Sequence, residues 1–227
     1  LWQGLAYVAA ETTTATNMGI LAAMVPLLTV LWSALILKEP PTLGGVVGGV
    51  LAFIGVTVLL GRGNPLSLLQ LEVAQGDALM VVAATCYALY GVMLKRWAMN
   101  LPPWVMLYAQ VCFAVLFLLP PYLMGPMTPV DGKNVWLILY AGIPASVITT
   151  FLWMRAVRQI GANQASIFIN LMPLFSALIA MALLGEQVSG FHFIGGLLIL
   201  AGVIMAQTLT RPLVRAAAAR KTQSVQQ

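Results

Sequence analysis

Charge is scarce in this sequence. Only 7% of its 227 residues are Asp, Glu, Lys or Arg, whereas a typical soluble chain carries about 25%. So few charges cannot cover a surface that faces water, and hydrophobic residues make up 61% of the chain. The composition therefore excludes a soluble enzyme, a nucleic-acid-binding domain and a disordered chain, and it predicts an integral membrane protein.

Cysteine and histidine are almost absent as well. The two cysteines, Cys86 and Cys112, lie inside apolar stretches, and His192 is the single histidine. These residues cannot supply a disulfide framework or a zinc cluster. An intramembrane enzyme would need clustered His, Asp or Glu, or a nucleophile with its base, at membrane depth. We therefore expect no catalytic residue, no metal and no cofactor.

The few charges separate long apolar stretches. Each stretch is close to the roughly 20 residues that a helix needs to cross the hydrocarbon core, and the period-two alternation of a membrane β-barrel is missing. Residues 1–10 are apolar but too short to span, and we interpret them as the last third of an eighth helix in a chain whose beginning is missing. We predict seven complete spanning helices, at residues 14–37, 42–61, 75–95, 103–123, 134–157, 162–185 and 189–208.

Basic residues concentrate on one predicted side of the membrane. If the C-terminus is cytoplasmic, only Arg62 and Lys133 of the 11 Lys and Arg residues lie outside, as the positive-inside rule requires. The basic tail at residues 209–227 then faces anionic lipid headgroups. The predicted orientation is therefore a cytoplasmic C-terminus.

An internal repeat relates two parts of the chain. A shift of 147 residues superimposes residues 9–56 on residues 156–203 without a gap. One repeat length contains five predicted spans, and this odd number places the two copies in opposite orientations, an architecture typical of transporters. A duplicated membrane scaffold without transport is the alternative. The matched pairs include Pro26 with Pro173, Glu39 with Glu186, Gly48–Gly49 with Gly195–Gly196, and Gly55 with Gly202.

These motifs resemble the EamA-type domain of the drug/metabolite transporter superfamily. The resemblance is carried by Ala-x5-Ala before Pro173, by Gly185–Glu186 at the end of that span, and by Gly195–Gly196 followed by Gly202. It implies an all-α integral membrane fold, a ten-helix 5+5 inverted-repeat transporter of the bacterial inner membrane. The family mostly exports amino acids and other small metabolites, and the YddG-type amino-acid exporters are one branch.

The resemblance also implies a division of the chain. Residues 1–61 would be the C-terminal part of a first EamA repeat, and residues 62–75 an external linker. Residues 76–208 would form the second EamA repeat, and residues 209–227 the cytoplasmic basic tail.

Polar and aromatic side chains at membrane depth are the candidate substrate ligands, because such residues tend to face the protein interior. One stripe, with Thr149 among its members, recurs at i, i+3, i+4 and i+7 in the 134–157 helix, and the repeat shift places an equivalent stripe on residues 1–10. For each residue alone, packing or a hydrogen bond to the preceding turn is the alternative. The predicted substrate-binding residues are Trp2, Gln3, Tyr87, Tyr90, Ser146, Thr150, Trp153, Ser166 and Asn170.

Three prolines, Pro26, Pro144 and Pro173, lie near the midpoints of their spans. Proline removes a helical hydrogen bond and displaces the carbonyl four residues earlier, and a freed carbonyl in a bilayer needs another partner. We predict that they act as hinges, and that the breaks at Pro26 and Pro173 offer acceptors to an ammonium or hydroxyl group. A static kink is the alternative. The carbonyls concerned belong to Ala22, Tyr140 and Ile169.

The sequence thus predicts a secondary transporter that exports small metabolites, with amino acids as the leading class, by alternating access. No Asp or Glu lies in the middle of a span, which favours neutral or zwitterionic solutes. The expected partners are the solute and membrane lipids, with no nucleic acid. Glycines such as Gly44 and Gly48 allow close helix contact within one subunit or in a homodimer. The alternatives are a drug or nucleotide-sugar carrier on the same scaffold, and a scaffold subunit that does not transport.

Reporter fusions test the predicted orientation. A reporter that is active only in the cytoplasm should be active after Gln227 and inactive within residues 62–77, since these positions are predicted on opposite sides of the membrane. The complementary reporter, active only outside, serves as the control. Equal signals from the two positions would contradict the orientation.

Overall fold

The computed structural model describes residues 2–64, 75–99, 101–124, 132–184 and 189–212. All the regular elements in this part of the chain are helices, which confirms the all-α fold. In chain order they are α1 (Trp2–Ala10), α2 (Ala15–Ala23), α3 (Val25–Trp32), π1 (Ser33–Leu37), α4 (Leu43–Leu60), α5 (Gln75–Trp97), α6 (Pro103–Met124), α7 (Gly132–Gly142), π2 (Ile143–Ile148), α8 (Thr149–Ile160), α9 (Ala162–Ser166), a 3-10 segment (Ile167–Asn170), α10 (Leu171–Leu184) and α11 (Gly190–Thr208).

Six helical stretches are long and apolar enough to cross a membrane, and each corresponds to one predicted span. The seventh predicted span, residues 162–185, is helical through residue 184 as three consecutive segments, and α1 matches the predicted partial helix. Gly185, Glu186 and the tail from residue 213 lie outside the described residues. The six stretches are Asn17–Leu37, Leu43–Leu60, Gln75–Trp97, Pro103–Pro120, Asn134–Ile160 and Gly190–Thr208.

Regular α-helix is interrupted in each span that has a central proline. Helix α2 ends just before Met24, and Pro26 lies in the first turn of α3. Pro173 follows the 3-10 segment in the first turn of α10, and Pro144 lies inside π2. Because proline supplies no N–H and crowds the preceding turn, these breaks follow directly from the sequence.

Two compact units divide the chain. The first comprises residues 1–96 and 162–227 and contains most of the described helices, from α1 to α5 and from α9 to α11. The second comprises residues 97–161, with α6, α7, π2 and α8.

Helices α4 and α11 of the first unit pack along most of their length through glycine. A Cβ on Gly55 would lie 2.8 Å from the carbonyl oxygen of Gly195, and a Cβ on Gly195 would lie 2.9 Å from that of Gly55. Gly48 and Gly202 face each other in the same reciprocal way. Since only glycine leaves room for such close backbones, these positions define the helix interface.

The two helices run antiparallel, because residue numbers rise along α4 as those of the facing residues fall along α11. Their ends are joined by backbone hydrogen bonds. The amides of Leu43 and Gly44 donate to the carbonyls of Arg211 and Leu209, each at 2.9 Å. The residues that follow α11 therefore supply acceptors to N–H groups that the first turn of a helix leaves unpaired.

Two further glycines of these helices, Gly49 and Gly196, also face the chain itself. A Cβ on Gly49 would lie 2.9 Å from a methyl carbon of Leu27, and one on Gly196 would lie 3.0 Å from a methyl carbon of Leu174. The small-residue faces are thus used for contacts within the subunit.

Helix α5 is anchored at its beginning by a carboxylate. Asp77 accepts a hydrogen bond from the Thr13 hydroxyl, and the Asn17 amide donates to both carboxylate oxygens of Asp77 at 3.1 Å. Gly76 lies so close to the Ala9 carbonyl that a side chain would clash. These contacts fix α5 against the corner between α1 and α2.

In the second unit, the Trp104 and Phe151 rings stack with centroids 4.0 Å apart. The Arg158 guanidinium donates to the carbonyl of Leu101 at 2.8 Å and to that of Met99 at 3.1 Å. Apolar side chains such as Phe117, 75% exposed, cover the outside, as expected of helices whose surroundings are lipid.

The alanine substitution Gly202→Ala tests the glycine interface. The added Cβ would lie 2.6 Å from the Ala52 backbone nitrogen, so we expect overpacking to lower the free energy of unfolding by about 1–3 kcal/mol. The matched control is Gly190→Ala in the same helix, where a Cβ meets nothing within 4 Å. Thermal unfolding in detergent measures both variants, and equal midpoints would contradict the described packing.

Candidate functional site

Aromatic side chains form a row in the first unit. The Trp2 and Tyr87 rings lie 5.2 Å apart between centroids, and the Tyr87 and Tyr90 rings lie 6.4 Å apart. Trp2, Tyr87 and Trp32 pack against one buried cluster that includes Val25. The structure therefore brings together three residues predicted to bind the solute, on α1 and α5, and adds Trp32 from α3.

Next to this row, α3 and π1 contact α9 and the 3-10 segment. We call this region the amide crossing and define it by five residues: Trp32, Ser33, Asn163, Ser166 and Asn170. Contacts between α3 and both α9 and the 3-10 segment bring the two stretches together, and Ile169 packs against the same cluster as Trp32. The crossing is thus continuous with the aromatic row.

Asn170 is the most unusual residue of the crossing. Its side chain is 0% exposed, and neither its amide nitrogen nor its amide oxygen has a hydrogen-bond partner among the described residues. A buried polar group without a partner costs about 1–3 kcal/mol. Such a side chain is explained if a polar group from outside the chain binds it.

Two further polar atoms of the crossing share this property. The indole nitrogen of Trp32 and the amide oxygen Oδ1 of Asn163 are both buried and without a partner in the described part of the chain. The crossing therefore offers N–H donors and carbonyl acceptors, all of them uncharged. Ser166, in contrast, is 0% exposed and donates to the Asn163 carbonyl at 3.0 Å, so its hydroxyl is satisfied within its own helix.

A chain of hydrogen bonds leads from the crossing to the end of α5. The Asn163 amide nitrogen donates to the Ser33 hydroxyl oxygen at 3.1 Å, and that hydroxyl donates to Glu39 at 3.2 Å. The ammonium of Lys95 lies 2.6 Å from a carboxylate oxygen of Glu39. This ion pair is partly exposed, so it contributes little stability by itself.

A cavity of about 150 Å³ lies beside the proline breaks of the first unit. Two of its lining residues, Ala22 and Ile169, are those whose carbonyls the prolines were predicted to free. The cavity is large enough for several water molecules. The lining residues are Gly19, Ala22, Ala23, Ile169, Met172, Pro173 and Ser176.

The predicted polar stripe of the 134–157 span lies in the second unit, whereas the equivalent residues on α1 lie in the first unit. Ser146 donates to the Ala141 carbonyl at 2.6 Å and Thr149 to the Pro144 carbonyl at 2.9 Å, each five residues back. These bonds match the wider turn of a π-helix. They are hydrogen bonds to the preceding turn, the alternative to solute binding for these two hydroxyls. Ser146 thus lies in π2, whereas Thr150 and Trp153 are half-buried in α8. The regular α-helical geometry assumed for the stripe is thus interrupted at Ser146, and the stripe as a ligand group stays a prediction.

Gln3, a member of the predicted set, and His192, the single histidine of the sequence, both lie away from the crossing. Gln3 is exposed on α1. His192 caps α11, where its ring nitrogen Nδ1 accepts from the Ser189 backbone amide at 3.1 Å.

Sequence reasoning missed Trp32, Ser33 and Asn163. The internal repeat carries no signal for Ser33 or Asn163, because the repeat shift pairs Ser33 with Ala180 and Asn163 with Thr16. The available signal was a polar residue near the end of a span, Ser33 in one span and Asn163 in another. Their contact depends on how the two stretches cross in the fold.

Comparison with known proteins agrees with this architecture. The model of the EamA-like transporter family matches residues 1–61 and 74–208. A protein of known crystal structure superimposes with a TM-score of 0.77 at 23% sequence identity, over 92% of this chain and 72% of that protein, which shows the fold alone.

Several relatives are named as transporters. The uncharacterized transporter YyaM of Bacillus subtilis is 29% identical over 92% of this chain and 70% of its own length. An uncharacterized transporter of Archaeoglobus fulgidus is 28% identical over 88% of this chain and 69% of its own length. The uncharacterized inner membrane transporter YicL of Salmonella typhimurium is 28% identical over 91% of this chain and 69% of its own length.

The substitution Asn170→Leu tests the amide crossing. Leucine has the same branched arrangement of heavy atoms and removes two buried polar groups without partners, so we expect unfolding to become less favourable by about 1–3 kcal/mol. We expect transport to fall at least about tenfold, or ~1.4 kcal/mol. Thermal unfolding and transport into liposomes are the two measurements.

The control is Thr29→Val, an equally buried site whose hydroxyl donates to the Val25 carbonyl at 2.8 Å. This variant should lose about 1 kcal/mol of stability and keep its transport rate. A loss of stability in Asn170→Leu would mean that the amide has a structural partner.

Proposed function

Because the chain belongs to the EamA-like transporter family, a family of membrane transporters and not of enzymes, we propose that it exports small metabolites by alternating access. Amino acids are the leading substrate class. The observation that carries the proposal is the buried amide of Asn170, which has no partner among the described residues. An uncharged site of donors and acceptors beside an aromatic row suits a neutral or zwitterionic solute with a partly apolar body.

The other predicted site residues enter the proposal with different support. Trp2, Tyr87 and Tyr90 belong to the aromatic row, and Asn170 belongs to the crossing. Ser166 supports the backbone there, since its hydroxyl is already bonded to its own helix. The ligand roles of Gln3, Ser146, Thr150 and Trp153 stay predictions.

The proposal includes a ten-helix 5+5 inverted repeat, with residues 1–61 in the first copy, residues 62–75 as an external linker and residues 76–208 as the second copy. The glycine interface supports it. The repeat shift converts the contact between Gly48 and Gly202 into the contact between Gly195 and Gly55, and both contacts occur. Such an exchange in an antiparallel pair is the behaviour of a two-fold axis in the membrane plane.

We place the protein in the bacterial inner membrane with a cytoplasmic C-terminus, because this orientation gives the required excess of Lys and Arg inside. A homodimer through α4 and α11 stays a prediction. Their glycine faces are covered within the chain, so such a dimer would use outer positions such as Val47 and Ile194, which are 40% and 56% exposed.

The paired breaks at Pro26 and Pro173 serve as hinges in this proposal. They border the cavity lined by Ala22 and Ile169, where displaced backbone acceptors would meet the solute. The break at Pro144 stays a predicted hinge of the second unit.

Uptake into liposomes of a panel of labelled amino acids, with and without a pH gradient, tests the proposal. We expect the protein to move at least one amino acid faster than protein-free liposomes do. A rate that does not respond to the gradient would favour facilitated diffusion, since no carboxylate lies in the middle of a span. If the protein moves only drugs or nucleotide sugars, amino acids are not its substrate class. If it moves no solute, a membrane scaffold that does not transport is favoured.

The hinge is tested in the same assay by Pro173→Ala, with Pro120→Ala in α6 as the control. Restoring a helical hydrogen bond should stiffen the break and slow transport on the order of tenfold, ~1.4 kcal/mol on the barrier. Unchanged rates in both variants would show a static kink.

A further inference from the structure

In the hydrogen-bond chain at the end of the amide crossing, the choice of donor and acceptor at each step is fixed by Glu39. A carboxylate only accepts hydrogen bonds. Glu39 accepts from the ammonium of Lys95 at 2.8 Å, and the hydroxyl of Ser33 lies 3.2 Å from the same carboxylate oxygen. The Ser33 proton is therefore committed to Glu39.

With its proton committed, the Ser33 oxygen can only accept from its other neighbour. That neighbour is the Asn163 side-chain amide, which must present its NH₂ group to Ser33, at 3.1 Å. The two ends of an amide side chain are opposite in character. The carbonyl oxygen Oδ1 of Asn163 therefore points away from Ser33, and it is buried without a partner in the described part of the chain.

We propose that Asn163 contacts the solute through Oδ1 and selects solutes that carry an N–H donor, a primary ammonium group above all. Ser33, Glu39 and Lys95 act as positioning residues, because they set which end of the amide faces the solute. This inference rests on the proposed function, whose substrate class it narrows.

The arrangement of the crossing supplies the other half of the recognition. Asn163 lies in α9 and Asn170 ends the 3-10 segment that follows it, and α3 contacts both of these segments. Asn170 and Trp32 contribute N–H groups without partners, which suit a carboxylate. A donor at one end of the solute and an acceptor at the other would satisfy all of these atoms together.

Paired solutes test the role of Asn163. Each amino acid of the liposome panel is compared with its Nα-trimethyl betaine, which keeps the carboxylate and the side chain but has no N–H. We expect the wild type to move the amine form at least about tenfold faster. In Asn163→Leu this ratio should fall to about one, because the acceptor is gone. The matched control is Gln164→Leu, the neighbouring amide, whose backbone carbonyl makes its described contact with Gln207; it should keep the wild-type ratio.

Glu39→Gln tests the positioning chain separately. In this variant the side-chain carbonyl oxygen at position 39 can accept from Lys95 while the NH₂ group donates to the Ser33 oxygen. The Ser33 hydroxyl is then free to donate to Oδ1 of Asn163, and this turns the NH₂ end of Asn163 toward the solute. We expect the amine-to-betaine ratio to fall toward that of Asn163→Leu, while the unfolding temperature stays near the wild-type value. A merely structural role would change stability and leave the ratio intact.

The outcomes separate the inference from the proposed function. If the wild type moves amino acids and Asn163→Leu keeps the full ratio, the inference is wrong and the proposed function stands. If Asn163→Leu loses the ratio but Glu39→Gln keeps it, the positioning chain is wrong. If the wild type moves no member of the panel, the proposed function fails and takes the inference with it.

Discussion

The absence of water in the hydrocarbon core is the constraint on which this structure depends. Every backbone amide at membrane depth must find its partner within the protein. In the described chain, helices supply these hydrogen bonds, since all of its regular elements are helical. Short polar side chains obey the same constraint. The hydroxyls of Thr29 and Ser166, both buried, each donate to a carbonyl of their own helix. Asn170 stands out because it is as deeply buried as they are and has no such bond.

Close helix packing provides the frame that holds this exception in place. In lipid, helices are not driven together by the hydrophobic effect, so contacts depend on how closely the backbones approach. The reciprocal glycines of α4 and α11 allow that approach. The cluster of Val56, Ile167, Ile199 and Val203 then joins these two helices to the 3-10 segment. The stretch that carries Asn170 is thus supported by the closely packed pair of α4 and α11.

Much of the fold could be predicted from the sequence because the determining signals are local. The length of each apolar stretch predicts a spanning helix, and the missing N–H of proline predicts the breaks at Pro26 and Pro173. Both effects depend only on residues within the same segment. The π-helical turns were not predictable in this way. Because π2 widens the turn that contains Ser146, the α-helical spacing assumed for that group applies only from Thr149 onward.

The site was only partly predictable for a related reason. Asn170 could be recognised because an amide at mid-span is unusual by itself. Ser33 and Asn163 are 130 positions apart in the chain, and each looks ordinary near the end of its own span. Their importance arises from the way in which one broken helix crosses another, and no pattern within either segment records that angle.

The carbonyls of Leu209 and Arg211, bonded to the first amides of α4, have a practical consequence for handling the protein. The few residues after α11 belong to the folded body even though they look like the start of a polar extension. A truncation or a fusion partner placed directly after Thr208 would strip two acceptors from the opening turn of a distant helix. Tags and cleavage sites are better placed beyond Pro212, where the described backbone pairing ends.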